Sequence, residues 1–155
     1  MELTGSRTLT ANRETVWAHL TSPEVLRQTI PGCESLEGTL ENGFEAEVTQ
    51  KVGPVKATFH GTVTVSDIVP EESYTIAGEG KGGVAGFAKG RADVALADGP
   101  KGTELTYTVT AEIGGKLAQL GSRLLHGTAR RLADKFFDNL QSAIEGPAGE
   151  TSDEA

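Results

Sequence analysis

Val55-Lys56-Ala57-Thr58-Phe59-His60-Gly61-Thr62-Val63-Thr64-Val65 decides the fold. Val55, Ala57, Phe59, Gly61, Val63 and Val65 alternate with Lys56, Thr58, His60, Thr62 and Thr64. Successive side chains of a strand point to opposite faces, so this run is a strand with one inner and one solvated face. The same reading sets Phe44, Ala46 and Val48 against Glu45, Glu47 and Thr49, and Tyr74, Ile76, Gly78 and Gly80 against Thr75, Ala77 and Glu79. Further on, Ala88, Gly90, Ala92, Val94 and Leu96 oppose Lys89, Arg91 and Asp93. Leu105, Tyr107, Val109, Ala111 and Ile113 oppose Glu104, Thr106, Thr108, Thr110 and Glu112. A filled interior packs close to crystal density and needs large aliphatics at such positions. Here many of them are Gly or Ala, and none of those named is charged. Either a helix presses very close to the sheet, or the sheet encloses an apolar hollow suited to a greasy molecule.

Outward from that strand, residues 2–10 read as a first strand with Leu3, Gly5, Arg7 and Leu9 on one side. Asn12 is a helix N-cap ahead of the stripe Val16, Trp17 and Leu20. Ser22-Pro23 opens a second short helix that Pro31-Gly32 ends. Six strand-like runs follow, joined by turns at residues 41–43, 53–54, 70–73, 82–86 and 98–102. From Gly115 the period becomes 3.6, which predicts one long helix over residues 115–144. Leu117, Leu120, Gly121, Leu124, Leu125 and Thr128 share the inner side of its first half; Leu132, Ala133, Phe136, Leu140 and Ile144 continue the stripe. Lys116, Arg123 and Arg130 recur on its outer face and read as a solvated stripe or a docking surface. The order predicts an α+β domain over residues 1–146, a curved seven-stranded antiparallel sheet wrapped around a long C-terminal helix. Residues 147–155 read as a disordered acidic tail.

A chain of 155 residues fits one domain, and its net charge of −8 argues against a nucleic-acid binder, which needs a clustered basic surface. The single cysteine, Cys33, allows no internal disulfide and no cysteine-built metal site. No signal peptide or apolar run of membrane-spanning length is legible, which predicts a cytoplasmic protein. Gly78-Glu79-Gly80-Lys81-Gly82-Gly83 lacks the GK[ST] ending and following helix of a phosphate loop, and reads as a flexible hairpin. His19, His60 and His126 show no metal-ligand spacing. Tyr74 and Tyr107 are the ionisable groups on the inner faces of the meander, and neither is the poised His or carboxylate that general acid–base chemistry favours. Cys33 has no neighbour in sequence that would activate it and reads as a buried small residue.

From end to end the succession resembles the helix-grip fold of the START/Bet v 1-like (SRPBCC) superfamily. Four motifs are similar to those of the CoxG family of carbon monoxide dehydrogenase. They are Val16-Trp17 followed by Ser22-Pro23-Glu24, Ile30-Pro31-Gly32-Cys33, Val52-Gly53-Pro54, and Gly115-Lys116-Leu117-Ala118-Gln119-Leu120-Gly121. The resemblance implies a non-catalytic accessory protein of a molybdenum-containing carbon monoxide dehydrogenase or related hydroxylase. It further implies peripheral association with the inner face of the cell membrane and, as ligand, menaquinone or another lipophilic molecule, with no covalently bound cofactor. Some members carry a C-terminal hydrophobic anchor, where this chain shows Gly-Pro and the acidic tail.

In an antiparallel meander, alternate turns share an end. Pro31-Gly32-Cys33, Gly53-Pro54, the hairpin at residues 82–86 and the start of the long helix therefore converge, and this end is expected to be the mouth. The expected cavity residues are Phe59, Gly61, Tyr74, Gly78, Gly90, Tyr107, Leu117, Leu120, Gly121 and Leu124. Val84 and Phe87, beside Lys81, Lys89 and Arg91, are expected to touch a membrane; Gly53, Pro54, Lys116, Gln119 and Arg123 are expected to touch the partner enzyme. The alternatives are a polyketide cyclase-like enzyme with Tyr74 or Tyr107 as proton donor, and a structural assembly factor with a filled core.

Overall fold

The computed structural model describes residues 1–145; the predicted tail lies outside them. The strands are β1 (Glu2–Leu9), β2 (Cys33–Thr39), β3 (Gly43–Val52), β4 (Val55–Val69), β5 (Ser73–Lys81), β6 (Phe87–Gly99) and β7 (Gly102–Gly114). The helices are α1 (Arg13–Leu20), α2 (Pro23–Thr29) and α3 (Ser122–Glu145). All neighbours pair antiparallel in the order β1-β7-β6-β5-β4-β3-β2, giving the expected curved seven-stranded sheet. Both predicted caps form. Asn12 Oδ1 accepts from the Thr15 N–H at 2.9 Å, and Ser22 Oγ accepts from the Val25 N–H at 3.4 Å, with Pro23 in the first turn.

The single helix expected over residues 115–144 is in fact two pieces. A 3₁₀ segment, Gly115–Leu120, stops at Gly121, whose φ of +94° lies where only glycine sits without strain, and α3 starts afresh at Ser122. The 3.6-residue period persists through the break, so the pattern alone hid it.

Packing divides the concave side in two. At the α1 end, Leu9, Val16, Leu20, Tyr74, Leu96, Leu105, Tyr107, Phe137 and Leu140 form a filled core. Hydrogen bonds hold the second half of α3 there. Asn139 Nδ2 donates to the Thr29 carbonyl at 3.1 Å, Gln141 Oε1 accepts from the Thr10 N–H at 3.1 Å, and Arg7 pairs with Asp138. A second cluster, Leu26, Leu36 and Phe44, seats α2 on the sheet. In the first half of α3 the tie to the sheet is Arg130, which donates to the Thr4 carbonyl at 2.9 Å, and Leu124, nearer the start, is 38% exposed.

Candidate functional site

Strand register turns the glycines and alanines of separate strands into continuous rows. Ala46 pairs with Gly61, Gly61 with Gly80, and Gly80 with Ala88. One step along, Val63 pairs with Gly78, Gly78 with Gly90, and Gly90 with Ala111. Apart from Val63, these two adjacent rows, which together cross five strands, carry no side chain larger than a methyl group. Above them lies a trough of about 410 Å³. Its walls are Val48, Phe59, Val63, Ile76, Ala92 and Val109, and no residue of α3 lines it. Ligand pockets usually hold ~300–1,000 Å³, so the trough is of ligand size. Alternation sends the side chains of its polar neighbours, Thr62, Glu79, Lys89 and Arg91, to the convex face, where they border a separate groove. The interior is therefore apolar and uncharged.

Space and backbone decide which glycines could be anything else. A Cβ on Gly61 would overlap the Glu79 carbonyl oxygen and stand 2.8 Å from Gly80 Cα, so close strand approach excludes a side chain. A Cβ on Gly78 would meet only the Thr62 carbonyl oxygen at 3.5 Å and Val63 Cγ2 at 3.6 Å, ordinary contacts. The bareness at Gly78 is a vacancy in packing, not a backbone requirement.

Of the expected cavity residues, Phe59, Gly61, Gly78 and Gly90 line the trough. Tyr74 and Tyr107 lie in the filled core instead. Tyr74 packs on Trp17 with ring centroids 5.4 Å apart, and burial pushes its hydroxyl pKa well above the ordinary tyrosine value. Tyr107 stacks on Phe137 at 5.1 Å, and its hydroxyl accepts from Arg130 Nη1 at 3.2 Å. That contact also corrects the expected outward stripe: Arg130 turns inward, donating from Nη2 to the Thr4 carbonyl at 2.9 Å, while Lys116 and Arg123 are exposed. The lining alanines and valines, and Gly80, were legible as inward residues, but their assembly into a floor depends on cross-strand register, which alternation within one strand does not give.

The four loop motifs do gather at one end, but that end is packed shut. Val52, Ala85 and Leu117 form a cluster, with Leu120, Leu125 and Phe59 against it. A Cβ on Gly86 would overlap the Gly114 carbonyl oxygen, and Leu124 Cδ2 approaches Gly53. The expected mouth is a plug, because alternate apolar residues of the hairpin and the 3₁₀ segment turn inward and meet. Its outer surface carries Val84, 91% exposed, and Phe87, 37% exposed. Lys51 and Lys56, Lys81 and Lys89, and Lys116 and Arg123 flank its three loops, a basic end on a chain of charge −8. Gly53, Pro54 and Gln119 are exposed there as well. At the nearby start of β2, Cys33 is half-buried, and burial pushes its thiol pKa up. Among the described residues no helix is long and apolar enough to cross a membrane.

The family model for the CoxG subunit of carbon monoxide dehydrogenase matches residues 5–145. No curated protein matches the chain. A conserved protein from Geobacillus kaustophilus has a similar solved structure, with TM-score 0.88 and 35% identity over 94% of this chain and 95% of that one. An uncharacterized protein from Rhizobium leguminosarum has TM-score 0.71 at 20% identity, covering 95% of each chain. Ara h 8.0201 has TM-score 0.67 at 15% identity, covering 95% of this chain and 99% of that one, and so shares the Bet v 1-like fold.

Proposed function

The chain belongs to the CoxG family of carbon monoxide dehydrogenase, and from that premise we propose that it is a non-catalytic carrier of a lipophilic ligand, menaquinone foremost. In this reading it links a molybdenum-containing carbon monoxide dehydrogenase, or a related hydroxylase, to the membrane quinone pool. One observation carries the proposal: an apolar trough of ligand size stands over two rows made largely of Gly and Ala, while the α1 end of the concave side is filled. Each methylene taken from water contributes ~0.8 kcal/mol, and association costs on the order of 4–15 kcal/mol. An isoprenoid chain can exceed that cost in an uncharged trough. A small polar metabolite finds few partners there. Catalysis by Tyr74 or Tyr107 is not favoured, since both sit outside the trough and burial moves Tyr74 away from proton transfer near neutrality.

The plug end supports peripheral membrane contact. Val84 and Phe87 present apolar surface within a basic surround, and each basic residue near an anionic surface contributes ~1 kcal/mol. Docking of the enzyme is proposed on the same end, through Gly53, Pro54, Lys116, Gln119 and Arg123. Charge reversal at Lys116 and Arg123 is then expected to weaken co-purification, and at Lys116 alone to do so without lowering ligand content.

The test is organic extraction of the protein purified from its own cells, followed by mass spectrometry. One quinone or isoprenoid lipid per chain is expected. Protein that releases no lipophile and takes up none from micelles would overturn the carrier reading.

A further inference from the structure

We propose that the ligand loads sideways, through a window between the β1–β7 edge and the first turns of α3, and that its polar head stays in that window while its apolar chain lies in the trough. This rests on the lipophilic-ligand reading above. The hairpin end offers no passage, because Val52, Ala85 and Leu117 are buried against one another there. On the β1 side, in contrast, a cavity of about 770 Å³ separates the sheet edge from α3. It adjoins the trough on the inner face, where Ala88 of the trough pairs with Ile113 of this cavity and Ala111 borders both. The 3₁₀ segment ends at Gly121 and α3 starts afresh at Ser122 beside this cavity. Among the described residues α3 is tied to β1 only from Arg130 onward, which donates to the Thr4 carbonyl, and to α2 and the residues after β1 through Asn139 and Gln141.

The window is two-sided. Ile113 and Leu125 continue the apolar surface from Ala111, whereas Ser122, Arg123 and His126, from the first five residues of α3, bring an O–H, a guanidinium and an imidazole. These groups donate to oxygen. Glu2 and Glu112 stand in the same cavity and offset the positive charge, so a phosphate would meet repulsion along with attraction. A neutral head bearing carbonyl or hydroxyl oxygen satisfies the donors without that conflict. The ligand class is thus an uncharged oxygenated head on a long hydrocarbon chain, and Arg123 acquires a binding role beside its proposed docking one.

The experiment loads the full chain with menaquinone-4 from non-ionic micelles and follows quinone recovered with the protein over time. Ala118→Trp with Ser122→Trp narrows the window at two exposed positions; Ala95→Trp adds the same side chain at an exposed position of β6, outside the linings of the window and the trough. The window variant is expected to load at least tenfold more slowly, and Ala95→Trp at the wild-type rate. Arg123→Gln with His126→Gln, also at exposed positions, is expected to weaken menaquinone-4 about tenfold and to leave squalene, which has no oxygen, unchanged. Loading by the window pair at the wild-type rate, or equal slowing by the window pair and Ala95→Trp, would overturn the route. Equal losses for menaquinone-4 and squalene, or tighter binding of phosphatidic acid than of menaquinone-4, would overturn the head assignment. Wild-type protein that takes up neither menaquinone-4 nor squalene would remove the carrier reading itself, and the window with it.

Discussion

Replacing Gly78 by leucine should make the protein more stable and a poorer carrier at once. Glycine inside a strand is worse than alanine by ~0.5–1 kcal/mol, and the position has ordinary room for a Cβ. Leucine adds three further carbons, worth ~0.8 kcal/mol each if fully buried. The open trough covers them only in part, so the expected net gain is about 1.5–2 kcal/mol. The same atoms occupy the floor on which a ligand lies. Displacing about four ligand carbons costs roughly 3 kcal/mol, on the order of a hundredfold in Kd. Gly61 is the control, because leucine there must part β4 from β5 and should destabilise by ~1–3 kcal/mol. Urea unfolding of the two variants, with menaquinone-4 titrations of the folded one, separates the effects. A Gly78→Leu protein that loses more than about 1 kcal/mol would refute the reasoning, since a loss of that size would mean the vacancy does not exist. One that binds as tightly as wild type would place the ligand elsewhere.

Four other outcomes concern residues outside the trough floor. Val84→Asp should leave stability within ~0.5 kcal/mol and abolish flotation with anionic vesicles. Lys81→Gln with Lys89→Gln should weaken that binding by about 2 kcal/mol, roughly thirtyfold. Cys33 should react with iodoacetamide several times more slowly at pH 7 in the folded protein than in urea, because burial raises its pKa and lowers its thiolate fraction. Asp93 accepts from Thr75 Oγ1 at 2.8 Å and from Arg91 Nη2 at 3.2 Å, in that order of influence, and both hold its carboxyl below the usual range. Its folded pKa being depressed, its contribution is complete above the ordinary carboxylate pKa and is lost as pH falls through the lowered one. Asp93→Asn should therefore flatten the acid limb of the stability profile measured by urea unfolding.

Strand identity, the two helix caps and the meander order were legible because each rests on residues close in sequence. Asn12 reaches only to Thr15, and the alternation of residues 55–65 is complete within one strand. What needed the third dimension was register. Gly61, Gly80 and Ala88 become one row only once three strands are aligned, and the inward Tyr74 and Tyr107 fall on the filled side of that line. Gly121 was visible as a small residue on the inner stripe, but its positive φ, which breaks the helix, leaves no mark in a 3.6-residue period. Arg130 likewise had the spacing of an outer stripe. Its long side chain instead finds Tyr107 and the Thr4 carbonyl, partners 23 and 126 residues away.

The most direct measurement is the amide spectrum of ¹⁵N-labelled protein titrated with menaquinone-4. A ligand lying in the trough should shift the amides of Gly61, Gly78, Gly80 and Gly90 most, in a 1:1 saturation, while Gly5 and Gly38, outside its lining, stay near their starting positions. Shifts confined to the convex face or to the plug, or no saturable shift at all, would contradict the claim that this sheet holds a lipophile in its concave side.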